Sequence, residues 1–315
     1  MKPAIISVVI PIYNEGPFIE ASIRSIQAIL FNHNIAYQFV LIDDGSHDET
    51  WQVLQKLAHN LPGIKALKLS RNFGKEAALC AGLEAADGDA SLVMDADLQH
   101  PPVLIPEMVR LWQEGYDVVE GVKSERGSES ALYRLGARLF YNTFNRLSGF
   151  DLRAASDFKL MDRKVVDAWR RLPEKDTFFR GMSAWVGFNR YRLDFVVDKR
   201  IAGNSKWSPL KLGKLFVSAI TAFSSLPLQV ITFLGGLFFV GSLFLALQTL
   251  YMKYFGIAYT GFTTVILLQL IIGSSLMLSL GIIGTYLARI YDEVKNRPRY
   301  LISAEIVSPD ANKTS

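Results

Sequence analysis

The sequence predicts a doubly wound, mostly parallel α/β sheet followed by a two-helix transmembrane hairpin. Three observations lead to this fold class: short β-rich runs alternate with helical patterns in the N-terminal part, polar residues follow those runs, and two long charge-free stretches come later. Alternating strands and helices favour parallel strands with helices on both faces. The mean hydropathy of +0.20 and the hydrophobic content of 50% are high for a soluble protein.

The elements of the predicted sheet follow one another at short intervals. The buried run ISVVIPIY predicts the first strand, and a helix over 17–30 follows it. FVLIDDGS predicts the second strand, after which Ser46 and Glu49 predict a capping box for the next helix. IKALKLS predicts the third strand, with a helix from about Lys75. ASLVMDAD and YDVVEGVK predict two further strands, separated by a helix over 106–114.

Two stretches, 229–250 and 263–288, contain no Asp, Glu, Lys or Arg. Each is long enough to cross a hydrocarbon core of about 30 Å as a helix that rises about 1.5 Å per residue. The alternative is a pair of buried helices in a soluble core. Charge-free runs of this length favour transmembrane helices.

Basic residues flank the two stretches unequally, and only Lys253 lies between them. The positive-inside rule therefore predicts that both termini are cytoplasmic, in a multi-pass protein of the inner membrane. The net charge of +4 lies largely beside the stretches, which indicates anionic lipid rather than nucleic acid. The basic residues are Lys199, Arg200, Lys206, Lys211 and Lys214 before the first stretch, and Arg289, Lys295, Arg297 and Arg299 after the second.

The segment 206–228 has apolar residues at helical spacing and lysines on another face. It predicts an amphipathic helix on the cytoplasmic leaflet, or alternatively a soluble helix packed on the N-terminal domain. Small residues within both hydrophobic stretches could form contacts inside the hairpin or in a homo-oligomer. The predicted organisation is an N-terminal domain over 1–205, the interfacial segment 206–228, spans at 229–250 and 263–288, and a cytoplasmic tail over 289–315.

Polar side chains cluster where the first four predicted strands end. In parallel sheets, ligands bind beyond the carboxyl ends of the strands, so these clusters predict a single site. The clusters are Tyr13, Asn14 and Glu15; Asp43 and Asp44; Arg71, Asn72 and Lys75; and Asp95, Asp97 and Gln99.

Two common phosphate-binding motifs are absent from the sequence, namely G-x-G-x-x-G after the first strand and G-x-x-x-x-G-K-[ST]. Asp95 and Asp97 are two positions apart, so on an extended backbone both carboxylates point the same way. Like charges this close repel unless a cation lies between them. The pair could hold Mg²⁺ or Mn²⁺ against phosphate oxygens.

Several motifs together resemble the family 2 inverting glycosyltransferases, specifically the polyisoprenyl-phosphate glycosyltransferases. They are VVIPIYNE, IDDGS, RNFGKEAAL with AGLEAADGD, VMDADLQHPP, SDFKLMDR, FFRGMSAWVG and KRIAGNSKW. The resemblance covers nearly the whole chain and implies a nucleotide-binding sheet of GT-A type. This group includes dolichol-phosphate mannose synthases and bactoprenol glucosyltransferases, and the paired spans favour the bactoprenol group.

The resemblance implies roles for the residues at the strand ends. Asp97 is the implied metal ligand and catalytic residue, while Asp95 could serve either the ion or the ribose. Lys75 could approach a phosphate or only begin a helix, and Asp43 with Asp44 could form a polar turn instead. The implied nucleotide-sugar site contains Pro11, Tyr13, Glu15, Asp43, Asp44, Lys75 and Asp95, and the implied metal site contains Asp95, Asp97 and Gln99.

The resemblance places Asp157 where these enzymes carry their presumed base. A lipid monophosphate has its second pKa near about 6 and is largely anionic at neutral pH, so Asp157 could instead orient the acceptor. A helix cap or loop acid is the structural alternative. Arginine and lysine near the membrane suit the acceptor phosphate, although Arg134 and Arg138 could also form a solvated helix face. The candidates are Arg126, Arg134, Arg138, Arg200, Ser205 and Lys206.

The residues and the resemblance together imply a metal-dependent, inverting hexosyltransferase, with glucose from UDP-glucose as the best candidate donor sugar and undecaprenyl phosphate as the acceptor. GDP-mannose, UDP-N-acetylglucosamine or a modified pentose donor would use the same residues. A processive polysaccharide synthase is disfavoured because no Q-x-x-R-W occurs. The alternative from another class is a non-catalytic, membrane-tethered nucleotide-binding protein.

Overall fold

The computed structural model describes residues 4–123, 156–172, 179–195, 226–255 and 261–309. These residues fall into two units, one built on a β-sheet and the other on two long helices. The described strands are β1 Ile5–Ile12, β2 Ala36–Asp43, β3 Ile64–Leu69, β4 Ala90–Val93, β5 Val118–Lys123, β6 Lys159–Asp162, β7 Arg190–Phe195 and β8 Ile302–Val307. The described helices are α1 Gly16–Asn32, α2 Thr50–Asn60, α3 Lys75–Ala85, α4 Ile105–Gln113, α5 Arg163–Arg170, α6 Phe179–Trp185, α7 Leu226–Tyr254 and α8 Phe262–Val294, with a 3-10 turn at Pro102–Leu104.

The strands form one eight-stranded sheet in the order β7-β5-β6-β4-β1-β2-β3-β8. Strand β1 lies between β2 and β4, and all three are parallel, as are β2 with β3 and β5 with β7. Strands β6 and β8 run antiparallel to their neighbours. The predicted mostly parallel α/β sheet is confirmed.

Helices cover both faces of the sheet, as the alternation of elements predicts. On one face, Val8 and Ile10 of β1 are buried in the main hydrophobic core together with residues of α1, α2 and α4. On the opposite face, Gly82 of α3 approaches Val9 and Ile42 so closely that an added Cβ would lie 2.4 and 2.6 Å from their side chains. Full burial of each aliphatic side chain contributes about 1.5–3 kcal/mol, so this two-sided packing holds the strand ends in place.

The parallel register brings four strand ends to one edge of the sheet. Ile12, the last residue of β1, pairs with Asp43, the last residue of β2. Val93 at the end of β4 pairs with Val9, and Met94 continues the ladder by donating its N–H to the carbonyl of Val9 at 3.2 Å. The residues that follow these strands therefore begin close together.

Strands β6, β7 and β8 are not predicted from the sequence. Strand β8 lies within 289–315, the predicted tail, and pairs antiparallel with β3 from Lys65↔Val307 to Leu69↔Ile302. The N–H of Ile64 donates to the hydroxyl of Ser308 at 2.9 Å, which fixes the end of the strand. Part of the predicted tail is thus the edge strand of the main sheet.

The predicted capping box at Ser46 and Glu49 is wrong. The hydroxyl of Ser46 accepts from the N–H of Asn14 at 2.9 Å, and α2 begins later, at Thr50. Glu49 occupies the N-cap position without a side-chain hydrogen bond, and Oδ1 of Asp48, the residue before it, accepts from the backbone N–H of Thr50 at 3.0 Å. The tertiary contact between the ends of β1 and β2 replaces the local one.

The second unit contains α7 and α8, which extend beyond the predicted spans at both ends. Their apolar segments Leu228–Tyr254 and Leu268–Val294 are 27 residues each, with mean hydropathy of 2.3 and 1.8, and none of either segment's most apolar window is buried. By length and composition both could cross a membrane. A Cβ added at Gly235, Gly236, Gly241, Gly273, Gly281 or Gly284 would meet no atom within 4 Å, so these glycines form no close helix contact among the described residues.

Candidate functional site

A cavity of about 320 Å³ opens at the carboxyl ends of β1 to β4. Its position follows from the parallel register, because the loop after each strand projects beyond the same edge of the sheet. Most of the predicted nucleotide-sugar residues line it. The lining residues are Pro11, Ile12, Tyr13, Glu15, Asp44, Asn72, Lys75, Ala78, Asp95, Ala96 and Asp97.

Asp43 and Asp44, predicted together, take different positions. Asp44 lines the cavity, and its two oxygens accept from the N–H groups of Phe73 at 2.7 Å and Gly74 at 2.9 Å. Burial raises the pKa of Asp44 although those hydrogen bonds act in the opposite direction. Asp43 is fully buried, and its Oδ1 accepts from the N–H of Ser46 at 2.8 Å. Its Oδ2 has no hydrogen-bond partner among the described residues, and it does not line the cavity.

Lys75 connects the acidic pair after β4 to Asp157, the residue predicted to act as the base or to orient the acceptor. Its Nζ lies 2.6 Å from Oδ1 of Asp95 and 2.9 Å from Oδ2 of Asp157. Burial alone would lower the pKa of Lys75, but the two carboxylates outweigh it and raise the pKa above its ordinary value. Lys75 is therefore a fixed cation between the two acids as well as the first residue of α3.

Asp157 lies just before β6 and is only 7% exposed. Arg180 of α6 donates to both of its oxygens, from Nε at 2.7 Å and from a terminal nitrogen at 2.9 Å. This forked geometry is the one in which a guanidinium binds a carboxylate most strongly. Burial opposes ionisation, but Arg180 and Lys75 together hold the pKa of Asp157 well below its usual range. Asp157 is thus a buried carboxylate whose ionised form is favoured by its two cationic partners.

The loop after β4 positions the predicted metal ligands. Oδ1 of Asp97 accepts from the N–H of Gln99 at 3.1 Å, which holds the turn that carries both residues. Burial raises the pKa of Glu15, and the nearby charges of Asp97 and Asp48 raise it further. Glu15 and Asp48 therefore add negative charge near Asp97.

This donor set fits a hard divalent cation. Glu15, Asp44, Asp95 and Asp97 are carboxylates that line the cavity, and Lys75 is the one basic residue in its described lining. Mg²⁺ and Mn²⁺ prefer such oxygen ligands. Over the described part of the chain, no group of three or more His, Cys, Asp or Glu residues is arranged to hold a metal by itself. An ion here would need ligands from a bound molecule to complete its coordination.

Two residues near the site are missed by sequence reasoning. Arg180 follows Phe179 in a short apolar segment, and nothing in its local pattern points to Asp157. His100 stacks on the ring of Phe158 with centroids 5.0 Å apart, next to Asp157. Burial lowers the pKa of His100. Both residues lie in motifs of the family resemblance, VMDADLQHPP for His100 and FFRGMSAWVG for Arg180, but the resemblance assigns a role to neither.

The predicted acceptor-phosphate residues lie outside the described residues, and their roles stay predictions. They are Arg126, Arg134, Arg138, Arg200, Ser205 and Lys206. The interfacial segment 206–228 also lies outside the described residues except for its last three positions, which begin α7.

Comparisons with known proteins find relatives that align with nearly the whole chain. An uncharacterized glycosyltransferase of Synechocystis sp. is 40% identical over 303 residues, which cover 95% of this chain and 94% of its own. A bactoprenol glucosyl transferase of Shigella flexneri, derived from the SfII prophage, is 36% identical over 302 residues, covering 94% of this chain and 97% of its own. A solved structure, mannosyl-3-phosphoglycerate synthase from Rubrobacter xylanophilus, is 19% identical with a TM-score of 0.47, covering 70% of this chain and 72% of that one.

The family model for glycosyl transferase family 2 matches residues 7–170, from β1 to the end of α5. This range contains the four strand ends, the acidic pair after β4 and Asp157. Because the model matches half of the chain and relatives align with nearly all of it, the chain belongs to glycosyl transferase family 2.

Proposed function

We propose that this chain transfers a hexose from a nucleotide sugar to a polyisoprenyl phosphate, with inversion, at the cytoplasmic face of the membrane. The product is a lipid-linked monophosphoryl sugar. The observation that carries the proposal is the buried Asp157 carboxylate, which Lys75 connects to the acidic pair lining the cavity. Glucose as the sugar and undecaprenyl phosphate as the acceptor are supported by relatives named bactoprenol glucosyl transferase at 35–36% identity.

The donor would occupy the cavity with its nucleoside toward β1 and β2 and its diphosphate toward the loop after β4. Pro11, Tyr13, Glu15 and Asp44 would contact the nucleoside. Asp43 remains a predicted contact, although it does not line the cavity; its Oδ2 has no hydrogen-bond partner among the described residues. The cavity walls thus provide both apolar surface and carboxylates for the base and ribose.

Asp97, with Asp95 and Gln99, would hold Mg²⁺ or Mn²⁺ against the diphosphate. The ion would neutralise the negative charge that develops on the departing nucleoside diphosphate. Since the protein offers two carboxylates and an amide there, donor phosphates and water would supply the other ligands. Lys75 contributes a further positive charge at Asp95, on the side that faces Asp157.

Asp157 would orient the acceptor rather than act as a strong base. A carboxylate whose pKa is held far below neutrality has little affinity for a proton. An acceptor phosphate with a second pKa near about 6 does not need a strong base at neutral pH. Arg180, which Asp157 holds in place, would instead contact the acceptor phosphate and fix the attacking oxygen in line with the bond to the leaving group.

The test is direct transfer by the purified full-length protein. Labelled UDP-glucose, GDP-mannose and UDP-N-acetylglucosamine are each incubated with undecaprenyl phosphate and Mg²⁺ or Mn²⁺, and extracted lipid is counted. Label from UDP-glucose in the lipid fraction is expected. A non-catalytic nucleotide-binding protein would bind a donor and label no lipid, which would refute the proposal.

The membrane topology of the proposal has a structural argument besides charge. Strand β8 follows the two long helices in the chain, yet it pairs with β3, which precedes them. This pairing supports the proposal that both flanks of the helix pair lie on one side of the membrane, with an even number of crossings between them. The excess of Lys and Arg in those flanks favours the cytoplasmic side.

A tag placed after residue 315 is expected to stay protected from protease in intact spheroplasts. A matched tag inserted after Phe255, between α7 and α8, should be cleaved from outside. Protection of both tags would mean that the helices do not cross the membrane. Cleavage of the C-terminal tag would reverse the proposed orientation.

A further inference from the structure

Helix α6, which carries Arg180, makes two polar contacts with the rest of the site, one of them half-buried and the other buried. At its first residue, the N–H of Phe179 donates to Oε2 of Glu76 at 2.7 Å. One turn later, the hydroxyl of Ser183 accepts from Nζ of Lys159 at 2.7 Å. Arg180 lies between these two contacts, so they determine where its guanidinium meets Asp157.

Lys159 also connects to the segment that carries Asp157. It is 1% exposed, and its Nζ lies 3.0 Å from Oε1 of Glu120 on β5. The same Glu120 oxygen accepts from the N–H of Ser156, the residue before Asp157, at 2.8 Å. The buried ion pair between Lys159 and Glu120 therefore contacts both the segment that carries Asp157 and the helix that carries Arg180.

A fully buried lysine is costly unless it is paired and hydrogen-bonded. Simple packing of α6 against the sheet would need only apolar residues at positions 159 and 183. Replacing a buried ion pair by apolar residues is often neutral or even stabilising, so stability does not explain this one well. Fixed directions of hydrogen bonding, which apolar residues lack, explain it better.

Glu76 directly follows Lys75 on α3. The first turn of α3 therefore contacts both Asp157, through Lys75, and the first residue of α6, through Glu76. Its contribution to α6 is an acceptor oxygen for a backbone N–H at the first residue of the helix. Burial raises the pKa of Glu76, and an acceptor oxygen remains in either protonation state. Glutamine, which has the same shape and an amide oxygen, should therefore replace it.

We propose that Glu76 and Lys159 are positioning residues. By binding the two ends of α6, they hold the Arg180 guanidinium in the geometry in which it donates two hydrogen bonds to Asp157. This inference rests on the proposed function. Neither residue lines the cavity, so the inference concerns the transfer step and leaves donor binding unchanged.

The experiment compares four substitutions in the full-length protein with lipid transfer as the readout. Ser183→Ala removes only the hydroxyl that Lys159 contacts, and Glu76→Leu removes the acceptor for Phe179. Each should lower kcat about tenfold, the effect expected from losing one hydrogen bond to a charged group. The KM for the donor should stay within about twofold of the wild-type value, because neither substitution changes a residue that lines the donor cavity.

Two matched variants should behave like the wild type. Glu76→Gln keeps the acceptor oxygen and should restore kcat. Lys164→Met removes another lysine ion pair, with Asp117 at 2.6 Å, on the exposed surface of α5. Melting temperatures measured on all four variants check that each is folded.

Equal kcat in Glu76→Leu and Glu76→Gln, or an unchanged kcat in Ser183→Ala, would overturn the inference. A joint fall in melting temperature and donor affinity would also overturn it, since that result describes a structural contact alone. An inactive wild type would count against the proposed function, whereas an active wild type with unaffected variants counts against this inference only.

Discussion

Asp157→Asn is expected to abolish measurable lipid transfer, a loss of about a thousandfold or more. The substitution keeps the shape of the side chain but removes the charge on which Arg180 and Lys75 converge. Both cations then lose their common anion, and the acceptor loses the group that would orient it. Transfer of label from UDP-glucose to lipid measures the effect.

Nucleotide binding should be nearly unchanged in the same variant, because Asp157 does not line the cavity. Calorimetric titration with UDP and Mn²⁺ checks this. Asp167→Asn is the matched control, since Asp167 also pairs with two arginines, Arg163 at 3.1 Å and Arg170 at 2.9 Å, but does so on α5 away from the cavity. Near-normal turnover by Asp157→Asn would refute the proposed role.

The first five strands could be predicted because each has a local signal. Their hydrophobic runs are separated by helices of a different period, and neither feature depends on distant parts of the chain. Strands β6 and β7 take their places by pairing with β4 and β5, which lie far earlier in the chain. Strand β8 forms because β3 offers it an edge more than 200 residues away, as the bond between Ile64 and Ser308 illustrates. Pairings of that kind leave no local pattern.

The candidate site was predictable to a similar extent. Residues directly after strands were found, since the parallel register brings them together. The local sequence does not distinguish Asp43 from Asp44, although neighbouring residues on an extended backbone point in opposite directions. That geometry indicates that only one of them can face the cavity.

The polar residues that support Asp157 come from tertiary contacts. Lysine is a residue type usually found on the surface, but Lys159 is buried beside Glu120 of a neighbouring strand and Ser183 of α6. Arg180 meets Asp157 across 23 positions of sequence. The sequence shows only that Arg180 is a charged residue in a short apolar segment, and that pattern does not identify Asp157 as its partner.

Asp97→Asn is expected to weaken metal-dependent nucleotide binding by about 100-fold or more. Loss of residues that only support metal ligands already costs about 10–100-fold in metal affinity, so loss of the main ligand should reach or exceed the upper value. UDP titrations with and without Mn²⁺ measure the effect apart from turnover.

Two further variants make the Asp97→Asn result specific. Asp95→Asn should have a smaller effect, because Oδ1 of Asp95 is already engaged by Lys75 at 2.6 Å. Asp87→Asn, an exposed aspartate 3.7 Å from Lys65 and outside the cavity lining, serves as the control. Equal Mn²⁺-dependent affinity in Asp97→Asn and the control would place the ion elsewhere.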